Sequence, residues 1–362
     1  MRTQLVTGAL IASALAIGCA NLGLSRHPDR AYITADERMA AIRHAQVWRR
    51  TDIRSMNVTR GPQGKGAFAP NATVTCRYYK EAFTGTTPKF GCELPDDNRL
   101  KVRYGRDNNE IFAGVAATRL FWALGFGADV LYPVHVICRG CPSTLHGDRV
   151  ADGEARFDYA AIERKMPGRE MEAPSVGPGW AWPELDRVDE RAGGAPLAHR
   201  DALKLLAVML QHTDNKAEQQ KLICVDEDTS KHELGTCPAT FMLIHDLGLT
   251  FGTATLVNSA DRSSANLREW SRTPIWKDEA HCVANMPPSQ SGTLINPIIS
   301  EVGRSFLSDL LGELTDTQIQ DLFLAARFGE KPGLNGESGG SVADWAAAFK
   351  RKRDEIAATS CF

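Results

Sequence analysis

The spacing of apolar residues changes once along this chain, and that change limits the fold more than any other feature. In Ala72–Tyr79 the residues Val74, Cys76 and Tyr78 share one face, and Phe90–Leu94 follows a turn that holds Gly85 and Pro88. Leu100-Lys101-Val102-Arg103-Tyr104 then alternates apolar with basic residues. A period of two is that of a half-buried strand. Val130–Cys138 and Ala160–Lys165 read as further strands, with Pro142–Phe157 a polar surface loop between them. One prominent helix, Glu110–Phe126, interrupts this half and is stopped by Gly125 and Gly127. A looser helical pattern covers Glu37–Arg50, and Gly61–Gly66 is a loop by composition.

Past the Gly-, Pro- and Trp-rich stretch Pro174–Pro183 the period becomes helical. Asp201–His212 is the strongest case, and helices are expected at Ile298–Leu311, Gln318–Arg327 and Val342–Ile356. Thr315 and Gln318 have the spacing of a capping box. Trp180 and Trp182 read as loop packing rather than a sugar-stacking platform. The order predicts an α+β chain, strand-rich first and helix-rich second.

The front end predicts export. A single basic residue, Arg2, precedes an apolar run from Leu5 to Ile17 that closes on small residues, the pattern of a cleavable signal segment. The run is rich in Ala, Gly, Ser and Thr, which suits a leader better than a membrane span. Leu15-Ala16-Ile17-Gly18-Cys19 resembles a bacterial lipobox, in which Cys19 would carry lipid; cleavage near Ala20 without lipid is the alternative. Cys76, Cys92, Cys138, Cys141, Cys224, Cys237, Cys282 and Cys361 follow, an even number that in an exported chain points to disulfides. Closeness in sequence suggests Cys76–Cys92, Cys138–Cys141, Cys224–Cys237 and Cys282–Cys361. The Cys138-Arg139-Gly140-Cys141 run is also compatible with a redox pair or half of a zinc site, although no second CxxC or histidine pair accompanies it. A net charge of −2 gives no basis for a nucleic-acid partner or a polybasic membrane patch.

The chemistry is concentrated in His212-Thr213-Asp214-Asn215-Lys216-Ala217-Glu218-Gln219-Gln220, which follows the apolar helix and leads into the β-like segment Lys221–Val225. Further on, the apolar strand Phe241–His245 runs into Asp246-Leu247-Gly248. This order resembles the protein-kinase fold, in which a loop of the form H-x-D-x-K-x-x-N follows a helix and a strand pair leads to D-F-G. His212, Asp214 and Lys216 match that loop, Gln219 stands where the metal-binding Asn would be, and Asp246-Leu247-Gly248 stands for D-F-G. Upstream, Lys101 on a strand and Glu110 opening a helix resemble the lysine–glutamate pair that holds nucleotide phosphates, with Arg103 a second candidate phosphate contact. Gly85 lies where a phosphate-covering turn would be, although no full G-x-G-x-x-G is present.

The resemblance covers about residues 72–252. It implies a two-lobed kinase-like fold, with a strand-rich N-lobe at 71–173 and a helical C-lobe at 174–362; the expected signal peptide at 1–20 and an N-terminal extension at 21–70 precede them. It further implies Mg²⁺ or Mn²⁺ with a nucleoside triphosphate, the metal held by Asp246 and Gln219, and an unidentified acceptor. Asp214 would take the acceptor's proton and Lys216 would neutralise developing charge. The expected function is an exported, metal-dependent phosphotransferase or nucleotidyl transferase, periplasmic or lipid-anchored to the envelope. The alternative is a non-catalytic kinase-like envelope protein that binds a ligand or partner. A hydrolase using Asp214, Asp246 and nearby histidines has no H-E-x-x-H or comparable ligand pair behind it.

Overall fold

The computed structural model describes residues 30–83, 85, 87–225, 237, 239–252, 264–289, 291–333 and 339–361. The expected leader and Cys19 lie outside the described residues. The chain enters through strand β1 (Arg30–Tyr32) and helix α1 (Ala35–Arg43). Thr34 and Glu37 form a reciprocal capping box that satisfies the first amides of α1. The expected helix ends earlier than its pattern, because Gln46 and Trp48 turn to strand-like bridges with Phe241 and Phe126.

Strands β2 (Ala72–Tyr79), β3 (Lys89–Glu93) and β4 (Arg99–Tyr104) come next, followed by helix α2 (Asn109–Leu124). Strand β5 (Val130–Cys141), a short hairpin of β6 (Thr144–Leu145) and β7 (Asp148–Arg149), and β8 (Gly153–Arg164) complete this part. The segment expected as a loop between the last two long strands is thus a hairpin plus the first residues of β8. The polar residues on the exposed side of β8, such as Glu154 and Arg156, concealed its length.

The five long strands close into a barrel in the order β2-β3-β4-β8-β5. All neighbours are antiparallel except β2 and β5, which run parallel. Phe90, Val102, Tyr104, Val134, Val136 and Ile162 fill its interior. The alternation in Leu100–Tyr104 therefore puts Lys101 and Arg103 on the outer face. Cys76–Cys92 ties β2 to β3, and Cys138–Cys141 closes the end of β5. Both Cys138 and Cys141 are buried and paired, so neither offers the thiolate that a zinc site needs. The other two pairs, Cys224–Cys237 and Cys282–Cys361, also follow closeness in sequence.

Helix α2 lies on the outside of the barrel, and every residue except Trp122 is buried. Its apolar side chains belong to a second, larger core. That core takes in β9 (Arg169–Glu172), α3 (Leu197–Met209), β10 (Gln220–Cys224) and β11 (Thr240–Ile244), with β1, β9, β10 and β11 hydrogen-bonded in that order. The chain then passes through α4 (Leu267–Arg272), the pair β12 (Trp276–Asp278) and β13 (Val283–Ala284), and helices α5 (Glu301–Gly312), α6 (Asp316–Ala325) and α7 (Val342–Ala358). The capping box expected at Thr315 and Gln318 opens α6. Phe251, Trp270, Phe323, Phe328 and Trp345 form an aromatic cluster among these helices.

Trp180 and Trp182 are fully buried, with ring centroids 5.3 Å apart, as loop packing requires. Trp180 Nε1 donates to the Lys221 carbonyl at 3.0 Å. The backbone of Gly179 passes against the loop before β10. A Cβ there would sit 1.9 Å from the Ala217 carbonyl oxygen, and φ is +68°. Only glycine suits both demands. This stretch therefore buttresses the chemically loaded loop from below. Among the described residues no helix is long and apolar enough to cross a membrane.

Candidate functional site

The loop between α3 and β10 is shaped by its own polar groups. Gln211 turns the chain with φ +50°, and His212 N–H donates to the Ala207 carbonyl at 2.9 Å. The His212 ring is fully buried, and neither nitrogen has a hydrogen-bond partner among the described residues. Burial pushes its pKa down to about 4, against the opposing pull of Asp214 and Asp246, so the ring is neutral at pH 7. Asn215 is turned inward: its Nδ2 donates to the His212 carbonyl at 3.0 Å, and its Oδ1 accepts from Leu294 N–H at 2.8 Å. The flanking residues Asp214 and Lys216 are left partly exposed, with Lys216 Nζ 3.3 Å from Asp214 Oδ1. Gln219 Nε2 donates to Asp214 Oδ2 at 2.5 Å.

Strand pairing carries this loop to Asp246. With Gln220 opposite Ile244, the Gln219 carbonyl accepts from His245 N–H at 2.7 Å and from Asp246 N–H at 3.3 Å. The Asp246 carboxylate accepts from Gly248 N–H at 2.9 Å through Oδ1 and from Arg103 Nη2 at 2.6 Å through Oδ2. Asp214, Gln219 and Asp246 are therefore joined by one short run of hydrogen bonds, side chain to side chain and then backbone to backbone.

The barrel supplies the opposite wall. Arg103, 1% exposed, binds Glu110 through Nη1, and its Nη2 lies 3.3 Å from Glu163 while bonding Asp246. Glu110 also accepts from Thr87 Oγ1 at 3.0 Å. The expected Lys101–Glu110 pair does not form. Lys101 lies opposite Glu163 in the β4–β8 register and pairs with it at 2.6 Å. Arg103 is two residues nearer the start of α2, so it takes Glu110 instead. Three carboxylates enclose Arg103. Gly85, with φ +87°, lies in the turn between β2 and β3 beside the Lys89 ammonium.

The charges are strongly coupled. Burial opposes ionisation of Asp246, but Arg103, then Lys101 and His245, outweigh it and hold the carboxyl well below its usual range. Burial also opposes charge on Glu163, yet Lys101, His245 and Arg103 bring its pKa down to about 2. For Glu110 burial wins over Arg103 and the pKa rises. Arg103 loses solvation on burial and is still held protonated by Asp246, Glu110 and Glu163.

The Glu163 shift has a measurable sign. In the unfolded chain Glu163 ionises near 4.5, so as pH falls the unfolded state takes up this proton first. Its contribution to stability is full above pH 4.5 and is lost as pH falls toward 2. Urea midpoints of the wild type should fall more steeply across that window than those of Glu163→Gln. Equal slopes would remove Glu163 from the ionic network.

Sequence reasoning missed Glu163, Asp129 and His245. His245 Nδ1 lies 2.6 Å from Asp129 Oδ2, while Asp129 Oδ1 accepts from Met166 N–H at 2.7 Å. Ligand atoms of Asp129, Glu163 and His245 lie within 4.8 Å of one another. These groups are already engaged in ion pairs: Lys101 and Arg103 both meet Glu163 at Oε2, and His245 Nδ1 meets Asp129 Oδ2. Glu163 was legible in principle: Ala160 and Ile162 face the barrel interior, so Ala161 and Glu163 face the same way as Lys101 and Arg103.

No protein-family model matches this chain, and no curated protein matches it. Among solved structures it is similar to the crystal structure of a Helicobacter pylori proinflammatory kinase, CtkA, at 11% identity and a TM-score of 0.40. The match covers 81% of this chain and 96% of that one.

Proposed function

We propose that this chain is an exported, metal-dependent phosphotransferase or nucleotidyl transferase of kinase-like architecture, working in the cleft between the barrel lobe and the helical lobe. The observation that carries the reading is the meeting of two walls at Asp246. The loop holding Asp214 and Lys216 reaches it through Gln219, and the barrel reaches it through the Arg103–Glu110 ion pair. In a kinase, a basic residue on the third strand paired to a helix glutamate does the same.

The donor set suits a hard divalent cation. Gln219 turns its Nε2 to Asp214, so its amide oxygen is not used in that bond and would join the Asp246 carboxylate as a ligand. Two oxygen donors of this kind, completed by phosphate oxygens and water, fit Mg²⁺ or Mn²⁺. When bound, the cation would neutralise phosphate charge on a nucleoside triphosphate. The chain's own residues do the rest. Asp214 orients an acceptor hydroxyl and receives its proton at a carboxylate oxygen. Lys216, beside it, stabilises negative charge on the group in transit. His212, neutral and buried, sits beneath them and takes no proton at pH 7.

Four disulfides support an oxidising compartment, in keeping with a leader that is cleaved or lipidated at Cys19. A second reading, a kinase-like module that binds without catalysis, is favoured by one feature: Arg103 already occupies an Asp246 oxygen. The test is transfer of γ-labelled phosphate or of the nucleotidyl group from ATP or GTP with Mg²⁺ or Mn²⁺, in the oxidised protein. Asp214→Asn should lower turnover by about 10²–10⁴-fold while nucleotide binding persists. Tight binding with no transfer in the wild type would establish the binding module instead.

A further inference from the structure

Both cations singled out by the sequence are already paired with carboxylates. Lys101 is paired with Glu163, and Arg103 is shared among Glu110, Glu163 and Asp246. Two cations thus face three carboxylates, and neither has charge to spare for an incoming anion. Lys89 differs. It lies directly opposite Arg103 in the β3–β4 register, which puts both side chains on the same outer face of the barrel. It is half-buried, and among the described residues no carboxylate comes within ion-pair distance of it.

We infer that Lys89 is a phosphate-binding residue of this cleft, contacting the polyphosphate of a nucleoside triphosphate. The inference rests on the function proposed above and names a residue which that reading did not assign. An ammonium taken partly out of water beside two other cations, with no carboxylate in direct contact, gains from an anion that joins it. Burial, then Arg103 and Lys101, work against its charge and outweigh the more distant pull of Glu110 and Asp246, in agreement with this geometry. Gly85 completes the arrangement. A Cβ on it would lie 2.9 Å from Lys89 Nζ, and its φ is +87°, a conformation that suits glycine, so this residue itself comes close to the ammonium. The polyphosphate would then sit between Gly85 and Asp246.

The experiment is equilibrium titration of the oxidised wild type, Lys89→Met and Lys89→Arg with three probes: ATP with Mg²⁺, adenosine, and inorganic tripolyphosphate with Mg²⁺. Losing one charge-assisted contact should weaken ATP and tripolyphosphate about tenfold or more in Lys89→Met and leave adenosine unchanged. Lys89→Arg should recover binding to within about threefold, since it keeps the charge. In the wild type, tripolyphosphate should also slow acylation of the Lys89 amine, read by mass spectrometry, which needs no variant to fold. Equal binding of both polyphosphates by Lys89→Met, or unchanged Lys89 labelling, overturns the assignment. Should the wild type bind tripolyphosphate but neither ATP nor adenosine, the nucleotide reading fails, and the Lys89 comparison with tripolyphosphate still decides the residue. Should it bind none of the probes, both fall.

Discussion

Arg103→Leu should lower the stability of the folded protein by about 3–5 kcal/mol, the usual cost of removing one partner from a buried ionic group. At this chain length that corresponds to a fall in Tm of roughly 4–7 °C. The cause is what remains behind. Glu110, Glu163 and Asp246 keep their places on α2, β8 and the turn after β11, and lose the guanidinium that all three share. Leucine fills part of the volume but offers no donor. Lys101→Leu should cost clearly less, because Lys101 is more exposed and holds Glu163 alone. Thermal or urea unfolding of the two variants side by side gives the comparison. If Arg103→Leu unfolds at the wild-type midpoint, the network is not what joins the two walls.

The second large effect is covalent. Cys282 and Cys361 are 79 residues apart, and their bond ties the end of α7 to the segment between β12 and β13. Loop-closure entropy for that length puts its contribution at about 4.5 kcal/mol. The double variant Cys282→Ser, Cys361→Ser should therefore unfold at markedly lower urea than the wild type. Cys138→Ser with Cys141→Ser closes a far shorter loop, three residues apart, and should cost under about 2 kcal/mol by the same relation. Equal losses in the two double variants would contradict the loop-length account.

How much of this was legible in the sequence depended on whether a property is local. The alternation in Leu100–Tyr104 correctly gave a strand and the apolar run at Ile111 and Val115 gave a helix, because period follows from burial of one face. The pairing of Glu110 was not legible. Lys101 and Arg103 share a strand face, and only the register of β4 with β8 and the position of α2 decide which cation meets which carboxylate. Strands β1 and β9, of three and four residues, are too short to show a period, yet they bring the segment before the barrel into the central sheet. Helix α2 carries Asn109, Glu110, Thr118 and Arg119, residues that suggest an exposed side. All four are buried, and Arg119 donates through Nη1 to the carbonyls of Val58 and Thr59 from a distant segment, while its Nε and Nη2 have no partner among the described residues. Long-range contacts of that kind leave no mark in local sequence.

Under the proposed function, Asp246 and its neighbours bind a nucleotide through a divalent cation. Titration calorimetry of the oxidised protein with ATP, in the presence of Mg²⁺ and then of EDTA, tests it most directly. Saturable binding is expected with Mg²⁺, with loss of about tenfold or more of the affinity both in EDTA and in Asp246→Asn. Binding that is identical with and without the cation, and unchanged in Asp246→Asn, would contradict it.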